Sequence, residues 1–152
     1  MLEGVANADN VGGIFRTAAA LGAGAVLLDP TSTDPLYRKA IRTSMGAAPV
    51  VPFARMEPWP AALAALQALG FATVALTPAA APTVRDTARA IQAGRVALVL
   101  GHEGEGLTQA ALDACTHRAR IPTAATVDSL NVAVAAAIAL YEIGTTYTRA
   151  HA

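Results

Sequence analysis

Short apolar runs of strand type alternate with Ala- and Leu-rich runs of helical type along the whole chain, and this alternation narrows the fold more than any other feature. Ala25-Val26-Leu27-Leu28, Val50-Val51-Pro52-Phe53, Thr73-Val74-Ala75-Leu76, Val96 to Leu100 and Arg118 to Ile121 read as strands. Between them, Asp9-Asn10 caps a helix running to Leu21, which Gly22 and Gly24 end, and Tyr37 to Ser44 reads as a short helix. Trp59 to Leu69 reads as a helix closed by Gly70, Thr108 caps a helix to Cys115, and Ser129 opens a long terminal helix reaching about Thr148. Strands that alternate with helices form a parallel sheet covered on both faces, so an α/β fold is expected. Leu2-Glu3-Gly4-Val5 has the look of a strand's end.

A chain of 152 residues corresponds to one domain and can bury a core without staples. Hydrophobic residues make up 54% and charged ones 14%, which excludes a disordered chain and leaves apolar surface for a partner copy to cover. Eleven basic residues cancel eleven acidic ones, so no general positive field draws in nucleic acid; any RNA contact is local or comes from another domain. Cys115 is the single cysteine, which excludes an internal disulfide and fits the cytoplasm. No cationic stretch followed by an apolar core opens the sequence, so no signal peptide is expected, and the apolar run Val132 to Leu140 is far short of the roughly 20 residues a membrane helix needs.

The residues after three strands, Leu76-Thr77-Pro78, Gly101-His102-Glu103 and Ile121-Pro122, are small, polar or ring-constrained. In open α/β sheets ligands sit at the carboxyl ends of strands, so these positions define one candidate pocket.

Three segments hold residues that a plain helix or turn explains poorly. The first is Asn10-Val11-Gly12-Gly13-Ile14-Phe15-Arg16-Thr17. A capped helix accounts for Asn10, but Gly12 and Gly13 cost roughly 1 kcal/mol each in a helix interior, so a backbone or a substrate is expected to approach there. Arg16, set among Ile14, Phe15 and Ala18, is the kind of charge that is usually paired or functional. The second, Gly101-His102-Glu103-Gly104-Glu105-Gly106-Leu107, is either a flexible turn or a ligand loop. Its glycines do not follow the GxGxxG spacing, and Glu103 and Glu105 would repel a pyrophosphate. A ligand with a positive centre and no phosphate suits it better; S-adenosylmethionine, with its sulfonium and ammonium, is such a ligand. His102 has no metal-ligand spacing with His117 or His151, so no metal is expected. The third segment runs from Ile121-Pro122 through Asp128-Ser129-Leu130-Asn131-Val132. A polar loop ending in a Ser129 cap explains much of it; Asn131, a mediocre helix former, is left as an amide able to fix a partner through both oxygen and nitrogen.

In this order and at these spacings, the three segments resemble motifs 1, 2 and 3 of the SpoU (TrmH-like) family of RNA ribose 2′-O-methyltransferases, within the SPOUT superfamily. Asn10…Arg16-Thr17 is similar to motif 1, Leu100-Gly101-His102-Glu103-Gly104…Gly106-Leu107 to motif 2, and Ile121-Pro122…Ser129-Leu130-Asn131-Val132-Ala133-Val134-Ala135 to motif 3. The stretch from Arg38 to Ala47 resembles the family's basic segment, and the likeness runs from Gly4 to about Tyr147.

That resemblance implies an α/β knot fold, a parallel sheet with a C-terminal trefoil knot, which periodicity alone cannot show because real knots are rare. It implies S-adenosylmethionine as cofactor, held by Gly101, Ile121 and Leu130 with Leu76 or Thr77 at the pocket edge, and attack of a ribose 2′-hydroxyl of tRNA or rRNA on its methyl group. Arg16 matches the family's catalytic arginine; because a guanidinium is a poor base, its expected task is to grip the phosphate beside the target ribose. Asn10 and Asn131 are expected to orient, Glu103 to hold Arg16 or a loop, and Ser129 to lie near the hydroxyl. Arg38, Lys39 and Arg42 are expected to bind RNA phosphate, although Arg38 and Arg42, four apart on one helix face, would equally suit a solvated basic surface. The family also implies a homodimer through the terminal helix, with the active site completed across it. Residues 1–152 would then be a catalytic domain whose N-terminal RNA-binding domain is not in this chain. Three other readings stay open: a SPOUT base methyltransferase, against which Asn10…Arg16 speaks; a non-catalytic RNA-binding or assembly module of the same fold; and, last, a dinucleotide oxidoreductase.

Overall fold

A computed structural model of the chain describes residues 1–91, 94–124, 126–127 and 129–150, with side chains described through residue 146; Asp128 and His151 lie outside the described residues. The elements in chain order are α1 (Ala8–Ala20), β1 (Val26–Leu28), α2 (Arg38–Thr43), β2 (Phe53–Arg55), α3 (Ala62–Ala68), β3 (Phe71–Leu76), α4 (Val84–Ala90), β4 (Arg95–Val99), α5 (Gln109–Ala114), β5 (His117–Ala119) and α6 (Val132–Ala150). No helix among the described residues is long and apolar enough to cross a membrane.

Every strand pairing is parallel. β1 pairs with β2, and β3 lies between β4 and β5. Leu2 joins the two sets: it bridges Leu28 on one side and Leu100 on the other, with its N–H donating to Leu27 O at 2.8 Å and its carbonyl accepting from Asp29 N at 2.9 Å. The strand-like start of the chain therefore sits mid-sheet, giving the order β2, β1, Leu2, β4, β3, β5. Alternate residues of a strand face opposite sides of a sheet. Val74 and Leu98 accordingly enter the core shared with Val11, Phe15 and Ala136, while Ala75 and Val99 enter a second core with Leu63, Leu107 and Ala111. Helices cover both faces, which is why the strands read as unbroken apolar runs.

Several expectations shift when the backbone is in view. The cap of α1 is Asn7, whose Oδ1 accepts from Asp9 N at 2.9 Å, and not Asp9-Asn10; Asn10 lies inside the first turn. The strand expected at Val50–Phe53 begins only at Phe53. Val50 N and Val51 N both turn back to Ala47 O, and Pro52, lacking an N–H, contributes only its carbonyl to Val26 N. The helix expected from Trp59 starts at Ala62, after two prolines whose carbonyls accept from Ala62 N and Leu63 N. α4 is absent from the sequence reading; Thr83 caps it by accepting from Asp86 N at 3.1 Å, a Thr-x-x-Asp start on a helix too short to show a period. Ser129 does not open α6. Asn131 does, its Oδ1 accepting from Ala133 N at 3.0 Å and Val134 N at 3.3 Å.

Gly12 and Gly13 are explained by helix contacts. A Cβ on Gly12 would lie 2.6 Å from Ala40 O and 2.8 Å from Thr43 Cβ of α2, and one on Gly13 would lie 3.0 Å from Ala133 Cβ of α6. Intrinsic preference favours Ala over Gly by roughly 1 kcal/mol in a helix, while overpacking against rigid backbone costs about 1–3 kcal/mol. Gly12→Ala is therefore expected to lose about 1–2 kcal/mol in urea unfolding; equal or higher stability would show that α1 and α2 can part without cost.

The turn after β1 carries a buried acid. Asp29 accepts from Ser32 N at 2.8 Å, Ser32 Oγ at 2.6 Å and Thr31 Oγ1, and Ser32 Oγ in turn accepts from Val5 N at 3.1 Å, just ahead of α1. Burial alone would raise the Asp29 pKa, but the hydrogen bonds from Ser32, Thr31 and the Gly4 and Ser32 backbone outweigh it and hold the carboxyl below its ordinary value. A depressed folded pKa gives stability that is present above the unfolded value, about 3.9, and is lost as pH falls through the lower folded value. Asp29→Asn is expected to lower stability at neutral pH and to flatten the acid limb of a stability–pH curve; an acid limb unchanged from wild type would remove Asp29 from the account.

Candidate functional site

The loop from Gly101 to Leu107 is a built structure and not a slack turn. His102 N donates to Gly106 O at 3.1 Å and Gly106 N returns a bond to His102 O at 3.0 Å. His102 Nδ1 accepts from Gly104 N at 3.0 Å and Glu105 N at 3.4 Å. Gly101 must be glycine here, because a Cβ would fall 2.3 Å from the Gly106 carbonyl carbon. Gly106, at φ +72°, takes the left-handed conformation that closes the loop before Thr108 caps α5.

Asn131 draws two of the three sequence segments toward its own. Its Nδ2 donates to Asn10 Oδ1 at 2.9 Å and to Glu103 Oε1 at 2.8 Å, while its Oδ1 caps α6. Both the oxygen and the nitrogen of this amide are thus engaged. Asn10 is buried, and its Nδ2 is a buried donor with no hydrogen-bond partner.

A cavity of about 380 Å³ opens where β3, β4 and β5 end, within the range typical of small-molecule sites. Leu76, Thr77, Gly101, Ile121 and Leu130 all line it, and Glu103 and Ser129 join them. Glu103 and Glu105 give its rim negative charge, and no Lys or Arg is among the described lining residues. Such a space favours a cation with an apolar body over a polyphosphate. A second hollow, about 510 Å³, lies by the amino ends of β1 and β4 and is lined mainly by apolar side chains, with Arg95 among them; it lacks the convergent polar side chains of the first. Among the described residues no three His, Cys, Asp or Glu side chains converge as a metal site would require.

Glu103 is expected to hold Arg16 or a loop; of the two it holds the loop ahead of α6, by accepting from Asn131 Nδ2. Arg16 is exposed on α1, outside the cavity lining, with no hydrogen bond or ion pair among the described residues. The reason is helical geometry: six residues separate it from Asn10, which turns it well away from the Asn10 face. Arg38, Lys39 and Arg42 stand exposed on α2, and Lys39 Nζ is already 2.8 Å from Asp9 Oδ2. Thr43 Oγ1 donates to Asp9 Oδ1 at 2.9 Å, and the bonds from Lys39 and Thr43 hold the Asp9 carboxyl below its usual value. The sequence reading passed over Asn7 and the acceptor role of His102. The only prior signals were Asn three residues before Asn10 and a histidine amid glycines.

The SpoU rRNA Methylase family model matches residues 1–141. An uncharacterized tRNA/rRNA methyltransferase of Mycobacterium tuberculosis is 48% identical over 143 residues, covering 93% of this chain and 50% of that protein. The 23S rRNA (guanosine-2'-O-)-methyltransferase RlmB of Photobacterium profundum is 34% identical over 142 residues, covering 93% of this chain and 57% of that protein. Among solved structures, an AdoMet-bound rRNA methyltransferase from Sinorhizobium meliloti superimposes with a TM-score of 0.81 at 33% identity, covering 93% of this chain and 53% of that one. The chain spans about half the length of the curated relatives it matches.

Asn131→Asp tests the junction. The variant keeps an oxygen to cap α6 but sets a carboxylate against Glu103 Oε1 and Asn10 Oδ1 in place of a donor. Two facing carboxylates raise each other's pKa in the folded state, so the penalty is present at neutral pH and relieved as pH falls. The stability deficit relative to wild type is expected to shrink between about pH 7 and about pH 4; a deficit independent of pH would mean that Asn131 serves only as a cap.

Proposed function

The chain belongs to the SpoU rRNA methylase family, and on that premise we propose that it transfers a methyl group from S-adenosylmethionine to a ribose 2′-hydroxyl of tRNA or rRNA. One observation carries the reading: the cavity at the carboxyl ends of the strands, lined by Leu76, Thr77, Gly101, Ile121 and Leu130 under a rim holding Glu103 and Glu105. Its chemistry fits the cofactor. Leu76, Ile121 and Leu130 offer walls to a flat heterocycle, Thr77 offers a hydroxyl, and the two carboxylates offset the positive charge of a sulfonium and an ammonium. When bound, the cofactor supplies an electrophilic methyl group.

The chain's own groups then have to bring the ribose hydroxyl to about 3–3.5 Å from the methyl carbon, in line with the bond that breaks. Ser129 lines the cavity two residues before Asn131 and is assigned to the hydroxyl region. Asn131 orients Glu103 and Asn10, and Asn10 Nδ2, buried behind that bond, is left without a hydrogen-bond partner. Arg16 is assigned to the phosphate beside the target ribose, where its permanent charge and planar fork are suited to two oxygens at once. Arg38 and Arg42 extend that contact along the RNA.

Arg16 does not line its own chain's cavity, and α6 leaves an apolar stripe exposed: Val134 at 49%, Ile138 at 37% and Tyr141 at 59%. These lie at i, i+4 and i+7, on one helix face. A homodimer that covers this stripe accounts for both facts, because a second copy can set its arginine at the facing cavity. A C-terminal trefoil knot and a cytoplasmic location belong to the same reading, as does the assignment of residues 1–152 to a catalytic unit.

The test is methyl transfer from labelled S-adenosylmethionine to undermethylated tRNA and rRNA, with the modified nucleosides identified by mass spectrometry. Ribose-methylated nucleosides are expected. Arg16→Ala is expected to slow transfer by about 10²–10³-fold while leaving calorimetric cofactor affinity within about twofold of wild type. Methylation on a base would move the chain to another branch of chemistry, and full turnover by Arg16→Ala would remove the arginine from the mechanism.

A further inference from the structure

Glu3 lies outside the cavity, yet its surroundings are built to a purpose. It is a carboxylate only 6% exposed, and it takes part in none of the ion pairs among the described residues. Its partners are neutral donors. Trp59 Nε1 donates to Oε1 at 2.6 Å, Thr108 Oγ1 to the same oxygen at 2.7 Å, and Thr108 N to Oε2 at 2.9 Å. The Glu3 backbone N–H donates to Leu100 O at 2.9 Å. Leu100 and Thr108 are the residues that flank the Gly101–Leu107 loop on either side. A single residue thus holds both ends of it.

The loop needs such a hold. The bonds of His102 to Gly104, Glu105 and Gly106 close it upon itself and tie it to nothing else. Its links outward among the described residues include the packing of Leu107, the bond that Glu103 Oε1 accepts from Asn131 Nδ2, and the Glu3 clamp on its two flanks. Burying a carboxylate without a cation is costly, and an apolar side chain would fill the same volume more cheaply. What two charged oxygens add is strong acceptance from three donors on two separate segments. The loop so held presents Gly101, Glu103 and Glu105 to the cavity.

We infer that Glu3 is a positioning residue for cofactor binding, which sets the Gly101–Leu107 loop against the end of β4 and so fixes the wall and the charge that S-adenosylmethionine meets. This rests on the cofactor reading given above. Glu3→Gln is the natural probe, since it keeps shape and one oxygen but turns an amide N–H toward a Thr108 donor. Trp59, the one tryptophan of the sequence, reports the same carboxylate by its fluorescence.

The experiment is calorimetric titration of the 152-residue chain with S-adenosylmethionine, in wild type, Glu3→Gln and Ile91→Ala. Ile91 is buried beyond α4, away from the loop, and serves as a control for lost stability. Glu3→Gln is expected to weaken binding by about tenfold or more and to shift Trp59 emission, while Ile91→Ala lowers the melting temperature yet binds within about twofold of wild type. Binding by Glu3→Gln within about twofold of wild type overturns the inference, as does equal weakening by Ile91→Ala at equal loss of melting temperature. Should Glu3→Gln fail to fold, Thr108→Ser and Thr108→Val decide. Serine keeps both donors and is expected to keep the affinity, valine loses the hydroxyl and is expected to weaken it, and equal affinities overturn the role of Glu3. A wild-type chain that takes up no cofactor overturns the cofactor reading itself, an outcome distinct from wild type and variant binding alike.

Discussion

The arrangement turns on one side-chain amide. Asn131 caps the terminal helix with its oxygen and spends its nitrogen on Asn10 and Glu103, residues 121 and 28 positions away along the chain. Nothing else among the described side-chain bonds spans the start of α1, the loop after β4 and the start of α6 at one point. An amide suits the task because it is donor and acceptor at once and carries no charge. A carboxylate in its place would repel Glu103; an alkyl group would leave both partners and the helix end unsatisfied.

Around that point the sheet supplies the frame. Parallel strands all deliver their carboxyl ends to the same edge, and helices on both faces leave that edge as the place where polar loops collect. The Leu2 bridges matter because they join β1 to β4. Among the described residues, these bridges connect the pair β1–β2, which supports α1 and α2, to the three strands whose ends form the cavity. Gly12 and Gly13 then let α1 approach α2 and α6 closely enough for Asn10 to meet Asn131.

Much of this was legible in the sequence, and the limits have physical causes. β3 and β4 show as continuous apolar runs because helices cover both faces, and the strand-end rule points to Leu76, Thr77, Gly101 and Ile121, which line the cavity. α4 escaped because Arg85, Asp86 and Arg89 dominate a helix of two turns, leaving its apolar face too short to reveal a period. β2 slid along the chain because Val50 and Val51 have strand-type side chains but backbone groups committed to a turn. The choice between Ser129 and Asn131 as the cap of α6 could not be made locally. Both are good capping residues, and a bond to Asn10, at the other end of the sequence, decides it. Arg16 stands out in the sequence as a charge among apolar neighbours, but its place outside the cavity lining is a matter of helical phase in a single chain, which motif spacing does not show.

The contact between Asp9 and Lys39 has a consequence for how the basic helix meets a polyanion. Formal charge counts Arg38, Lys39 and Arg42 alike, yet Lys39 already holds a carboxylate at 2.8 Å. A phosphate arriving there would not find a bare ammonium; it would compete with a resident counter-ion, and displacement would leave Asp9 with its bond from Thr43. The attraction this surface exerts at a distance is accordingly set by the two arginines, with the lysine entering only at contact.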